Sequence, residues 1–327
     1  MRSLSLSLLL TASLAAAGLV TAADLRRSIK LAGQLEDQRL VEVSGLVSSG
    51  RDEDLLWMLN DGGAEPVLHA TDLRGRTRGE LVLETAHNRD WEDLAAFELD
   101  GTPFLVAADI GDNFGRRDAL TLYFVAEPAQ ESGGKLSAKP AWSVDFSYPD
   151  GARDAESVAV DPDEERVYVL SKRDLPPRLY SLPLRAPETQ TAKLTARYLG
   201  PVNSLPAPPE QDIAAAGRTL DWHWQPTAMD FSGDGRYAAI LTYRAVYLYP
   251  RKPGQSWYDA LSAQPHRYDI GGILNAESMG FAADGRSVLI TVERLHAPLF
   301  QVDLKIVPVL TQPEKAGPDD KPQGALQ

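Results

Sequence analysis

The stretch from Thr227 to Ile270 reads TAMDFSGDGRYAAILTYRAVYLYPRKPGQSWYDALSAQPHRYDI, and its punctuation decides the fold. Four short runs rich in apolar and aromatic residues can be picked out: Ala228 to Phe231, Tyr237 to Tyr243, Ala245 to Tyr249 and His266 to Ile270. A Gly233-Asp234-Gly235 turn separates the first two, and polar or proline-bearing residues separate the others. Runs of this length between turn signals predict a four-stranded antiparallel meander.

Working outward, the start of that unit recurs. Ser44-Gly45-Leu46-Val47, Glu92-Asp93-Leu94-Ala95, Glu156-Ser157-Val158-Ala159, Thr227-Ala228-Met229-Asp230 and Glu277-Ser278-Met279-Gly280 each place an oxygen-bearing side chain before a small or polar residue and then an apolar one. Starts at 44, 92, 156, 227 and 277 are spaced by 48, 64, 71 and 50 residues, which suits propeller blades carrying insertions. Three further strands follow the first start (Leu55 to Leu59, Val67 to Asp72, Glu80 to Glu84), the second (Phe104 to Ala108, Leu120 to Val125, Ala141 to Phe146) and the third (Arg166 to Leu170, Arg178 to Leu184, Leu194 to Leu199).

The fifth unit has only Ser278 to Phe281, Ser287 to Val292 and Pro298 to Leu304 before the chain turns Pro- and Lys-rich. The N-terminal segment Ser28 to Leu35 is the expected fourth strand, closing the ring on the last blade and covering its exposed edge. The expected fold is therefore all-β, a five-bladed β-propeller of four-stranded antiparallel blades over residues 24–310. A sandwich, or six blades with one hidden between Pro187 and Trp222, is the alternative; beyond Leu199 that stretch reads better as a loop with a short helical piece.

Arg2 followed by the apolar run Leu4 to Val20 and the small residues Thr21-Ala22-Ala23 predicts a secretory signal peptide over 1–23, hence a periplasmic or secreted protein. Residues 311–327 are expected to be a disordered tail. There is no cysteine, so neither disulfides nor a lipoprotein anchor can contribute. A net charge of -13 makes nucleic acid and anionic membranes poor partners and a cation a natural one, although acidity also serves solubility.

In a propeller the first strand of each blade lines the central channel, so Ser44, Glu92, Glu156, Thr227 and Glu277 converge on the axis. Three carboxylates there would repel one another, raising their pKa values or requiring a counter-charge. A hard cation held by oxygens alone points to calcium, with waters completing its shell. The other reading is a water-filled polar channel in which the glutamates are solvated or paired with basic residues.

In this ring and its strand spacing the chain resembles the calcium-activated nucleotidase (apyrase) family, whose five-bladed propeller holds a central calcium with one serine or glutamate per blade. Thr227 stands at a serine position of that pattern. The resemblance implies calcium and, less directly, nucleotide hydrolysis; the family's base contacts have no counterpart that can be placed here. With Asp90-Trp91-Glu92-Asp93 and Asp109-Ile110-Gly111-Asp112-Asn113 the chain also looks like uncharacterised secreted bacterial propellers.

The second strand of each blade should end at the ring's face. Those ends carry Asn60-Asp61-Gly62-Gly63, Asp109 with Arg116 and Arg117 beyond it, Lys172-Arg173, Arg244, and Glu293-Arg294. Turn chemistry accounts for Gly62, Gly63 and Gly111. Arg116, Lys172, Arg173, Arg244 and Arg294 are candidate ligands for phosphate oxygens, and Asp61 or Asp109 a candidate to position or deprotonate water. The competing account is a network of rim acids and bases that holds the loops. Two functions stay open: a calcium-dependent hydrolase of phosphate esters or anhydrides, or a non-catalytic calcium-stiffened propeller binding a protein, peptide or envelope ligand. The sequence has no Gly-x-Ser-x-Gly elbow, paired-histidine zinc motif or phosphate loop.

Overall fold

A computed structural model describes residues 29–129, 134–185, 193–207 and 224–304. The expected signal peptide, the C-terminal tail and most of the loop with a short helical piece lie outside the described residues. Among the described residues no helix is long and apolar enough to cross a membrane.

The strands assemble into five separate sheets. Strand β1 (Ile29–Gln34) comes first in the chain and belongs to the last blade. Blade one is β2 (Val43–Ser48), β3 (Leu55–Asn60), β4 (Val67–Asp72) and β5 (Thr77–Leu83). Blade two is β6 (Trp91–Leu99), β7 (Thr102–Asp109), β8 (Leu120–Ala126) and, after β9 (Gly134–Ala138), β10 (Trp142–Ser147). Blade three is β11 (Ala155–Asp161), β12 (Arg166–Ser171), β13 (Arg178–Pro183) and, after β14 (Leu194–Thr195), β15 (Arg197–Pro201). Blade four is β16 (Pro226–Phe231), β17 (Tyr237–Thr242), β18 (Ala245–Pro250) and, after the short helix α1 (Trp257–Leu261), β19 (His266–Asp269). Blade five is β20 (Ala276–Phe281), β21 (Ser287–Val292) and β22 (Pro298–Asp303), completed by β1, which pairs antiparallel with β22 from Ile29 opposite Val302 to Gln34 opposite Pro298.

The inner strands form a closed circuit in which β2 packs on β6, β6 on β11, β11 on β16, β16 on β20 and β20 on β2. Their residues are almost all buried because each has a neighbouring blade on either side. The apolar core lies between blades: Leu81, Trp91 and Leu105 pack between the first and second, Phe146, Val158 and Tyr180 between the second and third, and Met229, Tyr168 and Trp257 between the third and fourth. Close approach near the axis demands small residues. A methyl group on Gly45 would lie 2.6 Å from the Leu94 nitrogen, and one on Gly280 2.5 Å from the Leu46 oxygen.

Two details depart from the expected meanders. The run Leu194 to Leu199 is not one strand: it divides at the buried Ala196, so that β14 pairs in parallel with β10 of blade two while β15 completes blade three. Likewise β9, in the connection within blade two, pairs in parallel with β5 of blade one. Each extra strand covers a sheet edge of the preceding blade, which links neighbours and removes an unpaired edge. The helix α1 falls in blade four, where Ser256 caps it by accepting a hydrogen bond from Asp259 N at 3.1 Å.

Candidate metal centre

One local distortion, repeated five times, builds the site. Val43 pairs with Asn60 and Gly45 with Leu59, leaving Ser44 unpaired between them. The same skip isolates Glu92 between Trp91 and Asp93, Glu156 between Ala155 and Ser157, Thr227 between Pro226 and Ala228, and Glu277 between Ala276 and Ser278. Each residue of the repeat is thus the extra residue of a β-bulge at the start of an inner strand, and a bulge re-aims the side chain it carries. The register also pairs those strand starts with the ends of the second strands, at Asn60, Asp109, Ser171, Thr242 and Val292, so that the rim loops share the ring's face.

The five positions are not chemically equivalent. Ser44 Oγ donates to Trp91 O at 3.0 Å and Thr227 Oγ1 to Ala276 O at 3.1 Å, each tying its blade to the next. Glu156 accepts a hydrogen bond from Lys172 Nζ, and both side chains are buried. Lys172 Nζ also lies 3.2 Å from Tyr243 Oη. Burial opposes its charge, but Glu156, Tyr243 and Glu277 hold its pKa well above the usual lysine range. A protein ammonium therefore already stands inside the ring.

One ammonium is too few for the carboxylates around it. Burial, then the charges of Glu156 and Asp61, pushes Glu92 well above the ordinary carboxyl range. Burial raises Asp61 as well. Asp90 is pushed up to about 6 by burial and by the nearby Asp61 and Asp154, and Glu293 to about 7 by burial and by Glu277 and Asp61. Asp61, Asp90 and Glu92, from the first two blades, bring carboxylate oxygens within 4.8 Å of one another.

Glycines make room for that cluster. A methyl on Gly111 would lie 2.2 Å from Glu92 Oε1 and 2.6 Å from Asp90 Oδ2, and one on Gly62 2.5 Å from Asp90 Oδ1. Neither has a positive φ, so close approach to carboxylates, rather than the turn chemistry expected of them, explains both; Gly63, at φ 84° with open space around it, is the turn glycine. Donors that are all oxygen, carboxyls lacking counter-charge and a cradle that a side chain would fill fit a hard divalent cation such as calcium.

Of the other rim residues, Asp109 is buried against Arg117, whose Nη1 is 2.6 Å away, and it accepts from Asp90 N at 3.2 Å. Arg173 donates from Nε to Asp154 Oδ2 at 2.6 Å and from Nη2 to Asn113. Arg116, Arg244 and Arg294 are exposed. Lys172 faces the ring, so the rim set divides into residues committed to internal pairs and residues open to solvent.

Asp90 and Asp154 were not singled out as site residues from sequence. The signal was there two places before each ring residue, where Glu42, Asp90, Asp154, Gln225 and Asn275 all carry side-chain oxygens. Asp154 accepts from Asp112 N at 2.8 Å, which fixes the blade-two loop over the site.

These features define an all-β, five-bladed propeller with an acidic ring at one mouth. No protein-family model and no curated protein matches the chain. Among solved structures, U3-55K is 12% identical over 85% of this chain and 99% of that one, with a TM-score of 0.43. A chain of a nidogen/laminin complex is 12% identical over 76% and 72%, with a TM-score of 0.39, and a luciferin-regenerating enzyme 8% identical over 83% and 92%, with a TM-score of 0.40. Likenesses this distant carry no inference about chemistry, and the number of blades rests on the chain's own sheet order.

Proposed function

We propose that this protein binds one calcium ion at the ring face through Asp61, Asp90 and Glu92, and that the metal and the exposed rim arginines together take a phosphorylated small molecule, acting as an exported, apyrase-like hydrolase of phosphate esters or anhydrides. The observation that carries the calcium reading is the convergence of those three carboxylates in a glycine cradle with their pKa values raised. Bound calcium would offset negative charge on a phosphoryl group. Arg244 and Arg294 would grip its free oxygens, Arg116 would do so from the blade-two loop, and Asp61, as a ligand of the ion, would orient the attacking water. Asp109 instead positions the site, its carboxylate being engaged by Arg117 and by Asp90 N.

A second reading, a non-catalytic docking platform, is favoured by one observation. Phe114 and Leu274 (each 80% exposed), Leu175, Leu295 and Val41 all sit on loops of the ring face, which suits a protein or peptide ligand. Calorimetric titration of the chelator-stripped protein with calcium, followed by a phosphate-release screen over nucleotides and phosphate esters, separates the readings. One-site binding with calcium-dependent release supports the hydrolase; binding without release leaves the platform; no binding removes both forms of the calcium reading.

A further inference from the structure

We propose that the channel mouth opposite the ring is a second binding site, one that takes a small organic polyamine: two or more ammonium groups joined by an alkyl chain. This mouth opens into a cavity of about 580 Å³ to which all five blades contribute, of a size that holds a small ligand.

The chemistry is layered. At the neck sits Asp230, whose carboxylate accepts from Phe231 N and Phe281 N at 2.8 Å each and has no basic side chain against it among the described residues. Phe97, Phe104, Phe231, Phe281 and Trp257 form an aromatic middle layer, with Phe231 stacked on Trp257 at a centroid separation of 3.7 Å. At the outer edge are Glu98, Asp163 and Asp284, all exposed. Asp161 and Asp234 are also in the wall, but Arg251 and Arg236 already neutralise them. Among the described residues no lysine, arginine or histidine lines the cavity.

An anion at the neck, aromatic faces between and anions at the edge match a chain with a cationic group at each end and methylenes in the middle. Ammonium groups are attracted both to carboxylates and to aromatic faces.

The test is calorimetric titration of the calcium-loaded full-length chain with spermidine at fixed ionic strength, with Trp257 fluorescence as a second readout. The expected result is one saturable site, with n-butylamine, which has a single ammonium, binding at least about tenfold more weakly. Asp230→Asn should weaken spermidine by about tenfold or more, and so should Glu98→Gln combined with Asp163→Asn, an exposed pair whose replacement leaves the core untouched. Glu65→Gln, an exposed acid on the β3–β4 loop at the other mouth, should leave spermidine binding unchanged. Absence of saturable binding, equal binding of butylamine and spermidine, or affinities indifferent to both cavity variants would overturn the proposal.

Discussion

Lys172 and Glu156 form a buried ion pair inside the ring, the lysine from just past the end of a second strand and the glutamate from the bulge that starts its inner neighbour. The pair is a built-in rival for any cation on the axis. Lys172→Met is expected to leave Glu156 buried beside uncompensated charge, costing about 3–5 kcal/mol in chelator. Because the competing ammonium is gone, the variant should bind calcium more tightly than the parent and recover part of that loss when calcium is added. Urea denaturation with and without calcium reads both effects; an equal loss in the two conditions would remove the rivalry.

Gly111→Ala and Gly63→Ala should fail in opposite ways. A methyl at 111 intrudes on the Glu92 and Asp90 carboxylates without backbone strain, so calcium affinity should drop at least about tenfold while the fold persists. A methyl at 63 meets nothing but sits at φ 84°, so it should cost about 1 kcal/mol and leave affinity alone. Titration and melting of the two variants side by side decide the matter, and unchanged calcium binding in Gly111→Ala would move the metal elsewhere.

Most of the architecture was readable because it rests on repetition. The oxygen-small-apolar start recurs five times, and each occurrence proved to be a bulge on an inner strand. The closing role of the N-terminal segment followed from the missing fourth strand. Strands β9 and β14 were not readable: pairing in parallel with a neighbouring blade leaves no periodicity of its own in five residues or two. In the site, the ring positions followed from the repeat, but the partner of each charge did not. Lys172 and Arg173 are adjacent in sequence, yet one turns into the ring and the other to Asp154, and both lie in the loop just beyond β12, where strand alternation gives no guide.

The raised carboxyl pKa values fix the sign of the pH dependence. Asp90 at about 6 and Glu293 at about 7 lie above their unfolded values, so between pH 4 and 7 these two carboxyls hold more protons in the folded chain than in the unfolded one and outnumber His69, which burial lowers and which acts in the opposite sense. Stability in chelator must then fall as pH rises through that window, the reverse of a salt-bridged carboxylate. Calcium should flatten the fall, and its binding near pH 6.5 should release protons, detectable as a dependence of the calorimetric heat on buffer ionisation enthalpy. A melting temperature that rises from pH 5 to 8 in chelator would contradict the raised values.

The rim arginines separate the hydrolase from the docking platform. Arg244 and Arg294 are exposed, so Arg244→Ala and Arg294→Ala should leave melting temperature and calcium affinity unchanged. If the site turns over phosphate esters, each loses a charge-assisted hydrogen bond to the phosphoryl group, and kcat/KM should fall by about tenfold or more. If the face is a platform, there is no turnover to lose, and Phe114→Ser with Leu274→Ser should abolish ligand capture instead, since truncating exposed apolar anchors removes the area that binding would bury. Phosphate release assayed on the arginine variants, with the apolar double variant as control, assigns the face: loss confined to the arginines supports hydrolysis, and release indifferent to both arginines removes them from the phosphate-binding role.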